Sequence, residues 1–190
     1  MSRRSRAREV ALQVLFQDDL NPGGNPAEGD AFLLRRLRGG DPEVMPPFAS
    51  TPPKATAART LEPATPSRTN PFGERAPAEN VGIPLTSAQS AVVEFARSLV
   101  AGVRRNRAEL DELLGKTADN WRIERMAATD RNVMRLGAFE LLYTETPSAV
   151  VINEAVELAK RYGSAQSAQF VNGILDKVKA ELLRPARIVT

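Results

Sequence analysis

Cysteine and histidine are both absent from the 190 residues. Their absence removes disulfides, thiolate nucleophiles, imidazole bases, zinc fingers and most transition-metal sites together, so neither a metal nor another cofactor is expected. Asp and Glu are scattered over helix surfaces without an obvious catalytic pair, and no enzymatic activity is expected either. Aromatic residues make up only 5% of the chain. No apolar run reaches the length of a membrane span, and the basic N-terminus has no apolar segment behind it, so a soluble cytoplasmic protein is expected. Strict polar/apolar alternation with β-branched residues is missing as well, which argues against any sheet.

Basic charge is present and unevenly placed. The formal net charge is only +3, yet Arg3, Arg4, Arg6 and Arg8 all precede the first acid, Glu9. Cations at a helix start oppose the helix dipole, so this cluster works against local stability. Guanidinium groups suit planar, bidentate contact with phosphate, which makes nucleic-acid contact the functional reading of the cluster. Arg104, Arg105 and Arg107 read instead as a solvated basic face, with contact to an RNA backbone as the lesser reading.

Helical periodicity then sets the fold class. A first helix from about Arg3 to Leu20 carries Ala7, Val10, Ala11, Val14 and Leu15 on one face and Leu12, Phe16 and Leu20 on another nearly opposite it. Two apolar faces leave two readings open: a helix central in a bundle, or one shared between a core and a partner. Asn21 to Gly24 stops it. Twelve of the fourteen prolines fall between Pro22 and Pro84. That segment, 21–84, cannot build a packed core and reads as a mostly disordered insertion, with one possible short helix at 30–38.

Order is expected to return at 85 and to last to about 184, followed by a tail at 185–190. Thr86 and Gln89 have capping-box spacing before a helix that continues through Leu110 and Leu114 to Gly115. A shorter helix is expected over Asp119 to Met126, with Trp121, Ile123 and Met126 buried. Thr129 and Asp130 offer a cap for a central helix from Arg131 to Tyr143. Pro147 and Ser148 open another, ended by Gly163, and a last one spans Ala165 to Leu183. In that last helix Val171, Ile174, Leu175, Val178 and Leu182 form the buried stripe. Gly173 interrupts it at a cost of roughly 1 kcal/mol against Ala. The structural reading is that Gly173 admits a neighbouring helix and Asn172 bonds nearby backbone. Phe170 lies at the edge of the stripe, open to a core role or to base stacking.

The strings RRSRAREVALQVLF, FARSLVAGVRRN, ATDRNVMRLGAFELLY and AVVINEAVELAKRYGSAQSAQFVNGILDKV resemble the bacterial NusB family, in order, over Ser2 to about Leu20 and about Pro84 to Pro185. The Pro-rich segment is far longer than the connection expected there. The resemblance implies an all-α fold of about seven helices in two packed bundles. It implies binding to single-stranded boxA elements of nascent rRNA transcripts together with NusE, a small-subunit ribosomal protein, within the RNA polymerase antitermination complex. Carried onto this chain, the RNA-binding set is Arg3, Arg4, Arg6, Arg8, Gln13, Gln166, Gln169 and Phe170, now with a stacking role for Phe170. Partner contacts fall on Phe16, Glu124 and Asp130. Where the partner is absent, the second apolar face of the first helix could pair with itself as a homodimer. Alternatives are a helical protein-binding scaffold, or a targeting module like the helical domain attached to some rRNA cytosine methyltransferases. If four arginines neutralise four phosphates, the log–log salt slope should be about −3, or roughly fiftyfold in affinity between 50 and 200 mM.

Overall fold

A computed structural model describes residues 2–38, 85–118 and 122–183, the side chain of Glu124 excepted. Expectations for Trp121, for 39–84 and for the tail beyond 183 lie outside the described residues. Among the described residues there are seven α-helices: α1 (Arg3–Leu20), α2 (Pro26–Arg38), α3 (Ser87–Arg105), α4 (Arg107–Thr117), α5 (Ala128–Tyr143), α6 (Ser148–Tyr162) and α7 (Ser167–Leu182). No strand occurs among the described residues. Helices α1 to α3 form one bundle and α4 to α7 a second, joined where α1 and α3 pack on α5. The expected all-α architecture of two bundles is the one observed.

Helix α1 starts where Ser2 caps it, the Ser2 hydroxyl accepting a 3.0 Å hydrogen bond from the Ser5 backbone N–H. From Ala7 to Leu15 every residue is buried. The two apolar faces therefore both serve the core, Leu12 included, because α1 has α2 and α3 on one side and α5 on the other. Only Phe16, half-buried, and Leu20, 56% exposed, remain of the second face. Helix α5 is the other central element, with Val133, Met134, Leu136 and Ala138 at 2% exposure or less.

Several boundaries differ from the periodicity. Helix α2 begins at Pro26, four residues before the short helix expected at 30–38. Proline fits a first helical position, and the Asn25 side chain accepts from the Ala27 N–H at 3.0 Å, so an Asn-Pro start signal lay inside the segment dismissed as irregular. The capping box of Thr86 and Gln89 forms as expected, but the helix it opens breaks at Asn106. There the Asn106 amide donates to the Gly102 carbonyl at 2.9 Å, and α4 then runs past Gly115 to Thr117. In place of a helix over 119–126, the described residues show a single 3-10 turn at Ile123–Arg125, with Met126 buried beside it. Helix α5 starts at Ala128, so Asp130 lies in its first turn and is not its cap. Helix α7 starts at Ser167, later than Ala165.

Glycine roles also divide differently. Gly102 is where the two bundles touch most closely: a Cβ there would fall 2.0 Å from the Phe139 ring. Gly173, by contrast, faces open space with nothing within 4 Å, and Asn172 donates to Asp176 at 3.0 Å, one turn on. No helix approaches Gly173, and the expected packing role for this pair is not the observed one.

The end of α1 is fixed electrostatically. Asp19, its side chain 3% exposed, accepts from Arg131 at 2.7 Å, Asn132 at 3.0 Å and Arg135 at 3.2 Å, and pairs with Arg107. Arg135 in turn forms a two-pronged bond with Asp111, at 2.6 and 2.7 Å. One carboxylate thus ties α1 to α4 and α5. Burial alone would raise its pKa, but the Arg131 hydrogen bond and the charges of Arg135, Arg131 and Arg107 together hold it below the ordinary 3.8.

A depressed carboxylate stabilises the fold above its unfolded pKa, and that contribution disappears as pH falls through the folded value. The stability gap between the parent chain and Asp19→Asn should therefore be constant near neutrality and shrink below about pH 4, by denaturant melts across the range. Gly173→Ala should raise stability by up to about 1 kcal/mol, since the new methyl meets nothing and helix propensity improves.

Candidate nucleic-acid interface

The N-terminal arginines are not equivalent. Arg3 and Arg4 are exposed at the start of α1, whereas Arg8, one turn after Arg4 on the same helix face, is buried. Arg8 is 3% exposed and forms a two-pronged pair with Glu140 on α5, at 2.8 and 2.7 Å. Glu154 on α6 lies 3.8 Å from the same guanidinium, which also covers the Phe95 ring at 5.2 Å. Arg8 is therefore a core cation with its charge already answered, and the expectation that it contacts RNA does not survive its burial. Arg4 lies over the same ring at 5.3 Å but stays exposed.

Arg6 leads to a second polar cluster. Glu9 is 1% exposed, accepts from the Tyr162 hydroxyl, and lies 3.2 Å from Arg161 and 3.7 Å from Arg6. Burial, then the hydrogen bond to Glu9, pushes the Tyr162 hydroxyl well above its ordinary pKa, so it remains a proton donor. Gln13 belongs here too. It is 4% exposed and hydrogen-bonds Tyr162, so it cannot read base edges at the surface as expected. Two partly exposed guanidiniums thus flank one buried carboxylate.

These contacts also set helix directions. Ser5 donates to Glu154 at 2.8 Å while Glu9 meets Tyr162, so α6 runs parallel to α1. The loop that follows Tyr162 therefore lies further along α1 than Arg6. Gly163 lets Ser167 pack against the chain, since a Cβ there would fall 2.4 Å from the Ser167 Cβ. The Ser167 hydroxyl accepts from the Ser164 N–H at 2.8 Å. This turn leaves Gln166 and Gln169 exposed. Phe170 is half-buried and packs on the core, keeping part of its ring at the surface. Exposed Arg3 and Arg4, the Arg6 and Arg161 pair, and Gln166, Gln169 and Phe170 follow one another along α1 and its neighbours. Cations, amides and a partly open ring are what single-stranded RNA requires of a protein surface.

Comparison with known proteins decides the family. The sequence model of the NusB family matches residues 52–180. A transcription antitermination protein NusB from Anaeromyxobacter dehalogenans is 39% identical over 186 residues, covering 98% of this chain and 96% of that one. The chain belongs to the NusB family. The Myxococcus xanthus NusB is 52% identical over 94 residues, 49% of this chain and 67% of its own length. Among solved structures, Thermotoga maritima NusB superposes with a TM-score of 0.61 at 26% identity, covering 95% of this chain and 92% of its own. A structure of NusB and NusE in complex with double-stranded RNA gives 0.61 at 22% identity, covering 95% and 98%, which supports the fold alone.

The partner residues implied by the NusB resemblance fall at the opposite end of α1 from Arg3. Phe16 is half-buried, one turn before Asp19. Asp130, in the first turn of α5, precedes the Asp19 ligands Arg131 and Asn132. Burial raises the Asp130 pKa above 3.8 against the pull of a Ser167 hydrogen bond, and its buried Oδ1 has no hydrogen-bond partner among the described residues. Asp130 therefore braces the start of α7. Glu124 lies in the 3-10 turn, and its side chain is outside the described residues. Arg161 was missed from sequence. It reads there as one more solvated cation at the end of a helix, and only the buried Glu9 across from it sets it apart.

Arg8→Ala should cost about 3–5 kcal/mol of stability, because Glu140 is left buried and unpaired. Arg3→Ala should stay within about 0.5 kcal/mol. Thermal or denaturant unfolding of the two variants checks the difference.

Proposed function

We propose that this chain is an RNA-binding transcription antitermination factor that holds single-stranded boxA RNA of nascent rRNA transcripts jointly with NusE. The observation that carries the reading is the placement of these side chains: arginines at the start of α1 and at Glu9, then exposed Gln166 and Gln169 beside the half-buried Phe170. Arginines clamp the phosphates without sequence preference, the amides read exposed base edges, and Phe170 gives one base a face to stack on. The antitermination role is supported by the NusB relatives, and the NusE partnership is in keeping with the NusB and NusE complex whose NusB shares this fold. Phe16, Asp130 and Glu124 are the proposed NusE contacts, and RNA polymerase is engaged through the assembled complex.

Because Arg8 is paired with Glu140, the N-terminal cluster brings about three charges to phosphate, not four. The salt slope should then be about −2, a loss of roughly twentyfold between 50 and 200 mM. Affinity for the isolated chain is correspondingly modest, and a partner adding its own contacts raises it by making the second binding event intramolecular. Fluorescence anisotropy with a short boxA-type RNA, with and without NusE, tests this. Binding that is sequence-selective, follows that slope and tightens with NusE is expected. Partner binding with no RNA affinity in either condition would make the chain a protein-binding scaffold instead.

A further inference from the structure

Helix α2 was not expected to carry function, yet its last turn holds Arg35, Arg36 and Arg38. Cations at a helix C-terminus suit the dipole, so a solvated helix end would explain them taken alone. Their placement adds more. The five residues between α1 and α2 make the two helices antiparallel, and Gly29 on α2 lies against Val14 on α1. From that contact, α2 runs nine residues to Arg38 and α1 runs ten back to Arg4. At about 1.5 Å per residue both ends lie at nearly the same level. Helix α3 confirms the frame, since Asp18 holds Arg104 at 2.7 Å at one end while Arg4 meets Phe95 at the other. Arg35 and Arg38 are exposed, and no acidic partner for either occurs among the described residues. The acids of α2, Glu28 and Asp30, sit at its far end, Asp30 bound to Arg97 at 2.6 Å. Arg35 and Arg36 both lie against the Phe32 ring, at 5.7 and 5.6 Å, so one aromatic holds two guanidinium groups on this turn.

We propose that the α2 arginines extend the RNA track across the tip of α1, Arg35 and Arg38 taking phosphates of the strand that flanks the segment bound by Arg3, Arg4 and Phe170. This rests on the RNA-binding reading above. A phosphodiester backbone is the occupant favoured because the exposed groups of this turn are guanidiniums, while Phe32, Leu34 and Leu37 pack against the core. Its contacts would be indifferent to base identity, so they would add affinity and direction, not selectivity.

The test compares the full chain with Arg35→Gln/Arg38→Gln, using two RNAs: the short boxA-type strand, and the same strand lengthened by a few nucleotides at either end. Both positions are exposed, and matching circular dichroism and melting curves establish that the variant folds. For one lengthened strand the variant should lose about 1.4 from the log–log salt slope, so the drop in affinity between 50 and 200 mM becomes about sevenfold smaller. The short strand should be bound unchanged. Equal slopes for parent and variant on every lengthened strand would overturn the proposal and leave the arginines to solvent or to an acidic protein. Loss on the short strand as well would overturn the flanking path. An Arg3→Gln/Arg4→Gln variant separates the two claims: if it too binds both RNAs like the parent, the RNA-binding reading itself has failed.

Discussion

The carboxylate of Asp19 is the point on which the two bundles depend. It sits at the end of a helix buried on nearly all sides and gathers Arg107, Arg131, Arg135 and Asn132 from α4 and α5. Hydrophobic burial brings α1 into the core but is non-directional, so it cannot set how far the helix slides along α5. Two charged clusters do that. Asp19 fixes one end and the Arg8–Glu140 pair, at 2.7 Å, fixes the other, with the fully buried stretch from Ala7 to Leu15 between them. Buried pairs contribute little net energy against well-packed apolar residues, but removing one partner is costly, so their effect is on register more than on total stability.

Register matters because the proposed RNA-binding surface lies on the outside of the same helix. Arg8 inside and Arg4 outside share a helix face one turn apart, over the same Phe95 ring, and differ only in depth along α1, while Arg3 and Arg6 differ from Arg8 in helical phase. A slide or rotation of α1 would trade a structural cation for a binding one. The same logic holds at Glu9, a buried carboxylate that anchors Tyr162 from within and presents Arg6 and Arg161 at the surface. Structure and the proposed site therefore share their charges, with acids inside orienting the bases that face RNA.

Much of the fold was legible in the sequence because apolar spacing at 3.6 residues is dense in α1, α3, α5, α6 and α7. What periodicity could not supply was the environment of single residues. Gln13 and Arg8 read as surface polar groups, since helical spacing gives a direction only after the neighbours are known, and their partners Tyr162 and Glu140 are more than a hundred residues away. Asn106 breaks a helix through one side-chain bond to Gly102, which an otherwise continuous pattern hides. The Asn25-Pro26 start of α2 was readable, but proline-rich surroundings masked it. Gly173 shows the reverse error. Its spacing suggested close packing, whereas the space beside it is open. The set of RNA contacts came from family resemblance, and three-dimensional placement then separated its surface members from its core ones.

That separation is the central claim, and arginine side-chain NMR tests it most directly. In a titration of the isotopically labelled chain with boxA-type RNA, the Nε–H resonances of Arg3, Arg4, Arg6 and Arg161 should shift together. Those of Arg8 and Arg135, held by Glu140 and Asp111, should stay in place. Shifts at Arg8 or Arg135 with none at Arg3 and Arg4 would contradict the account, since RNA would then have to open the core to reach them.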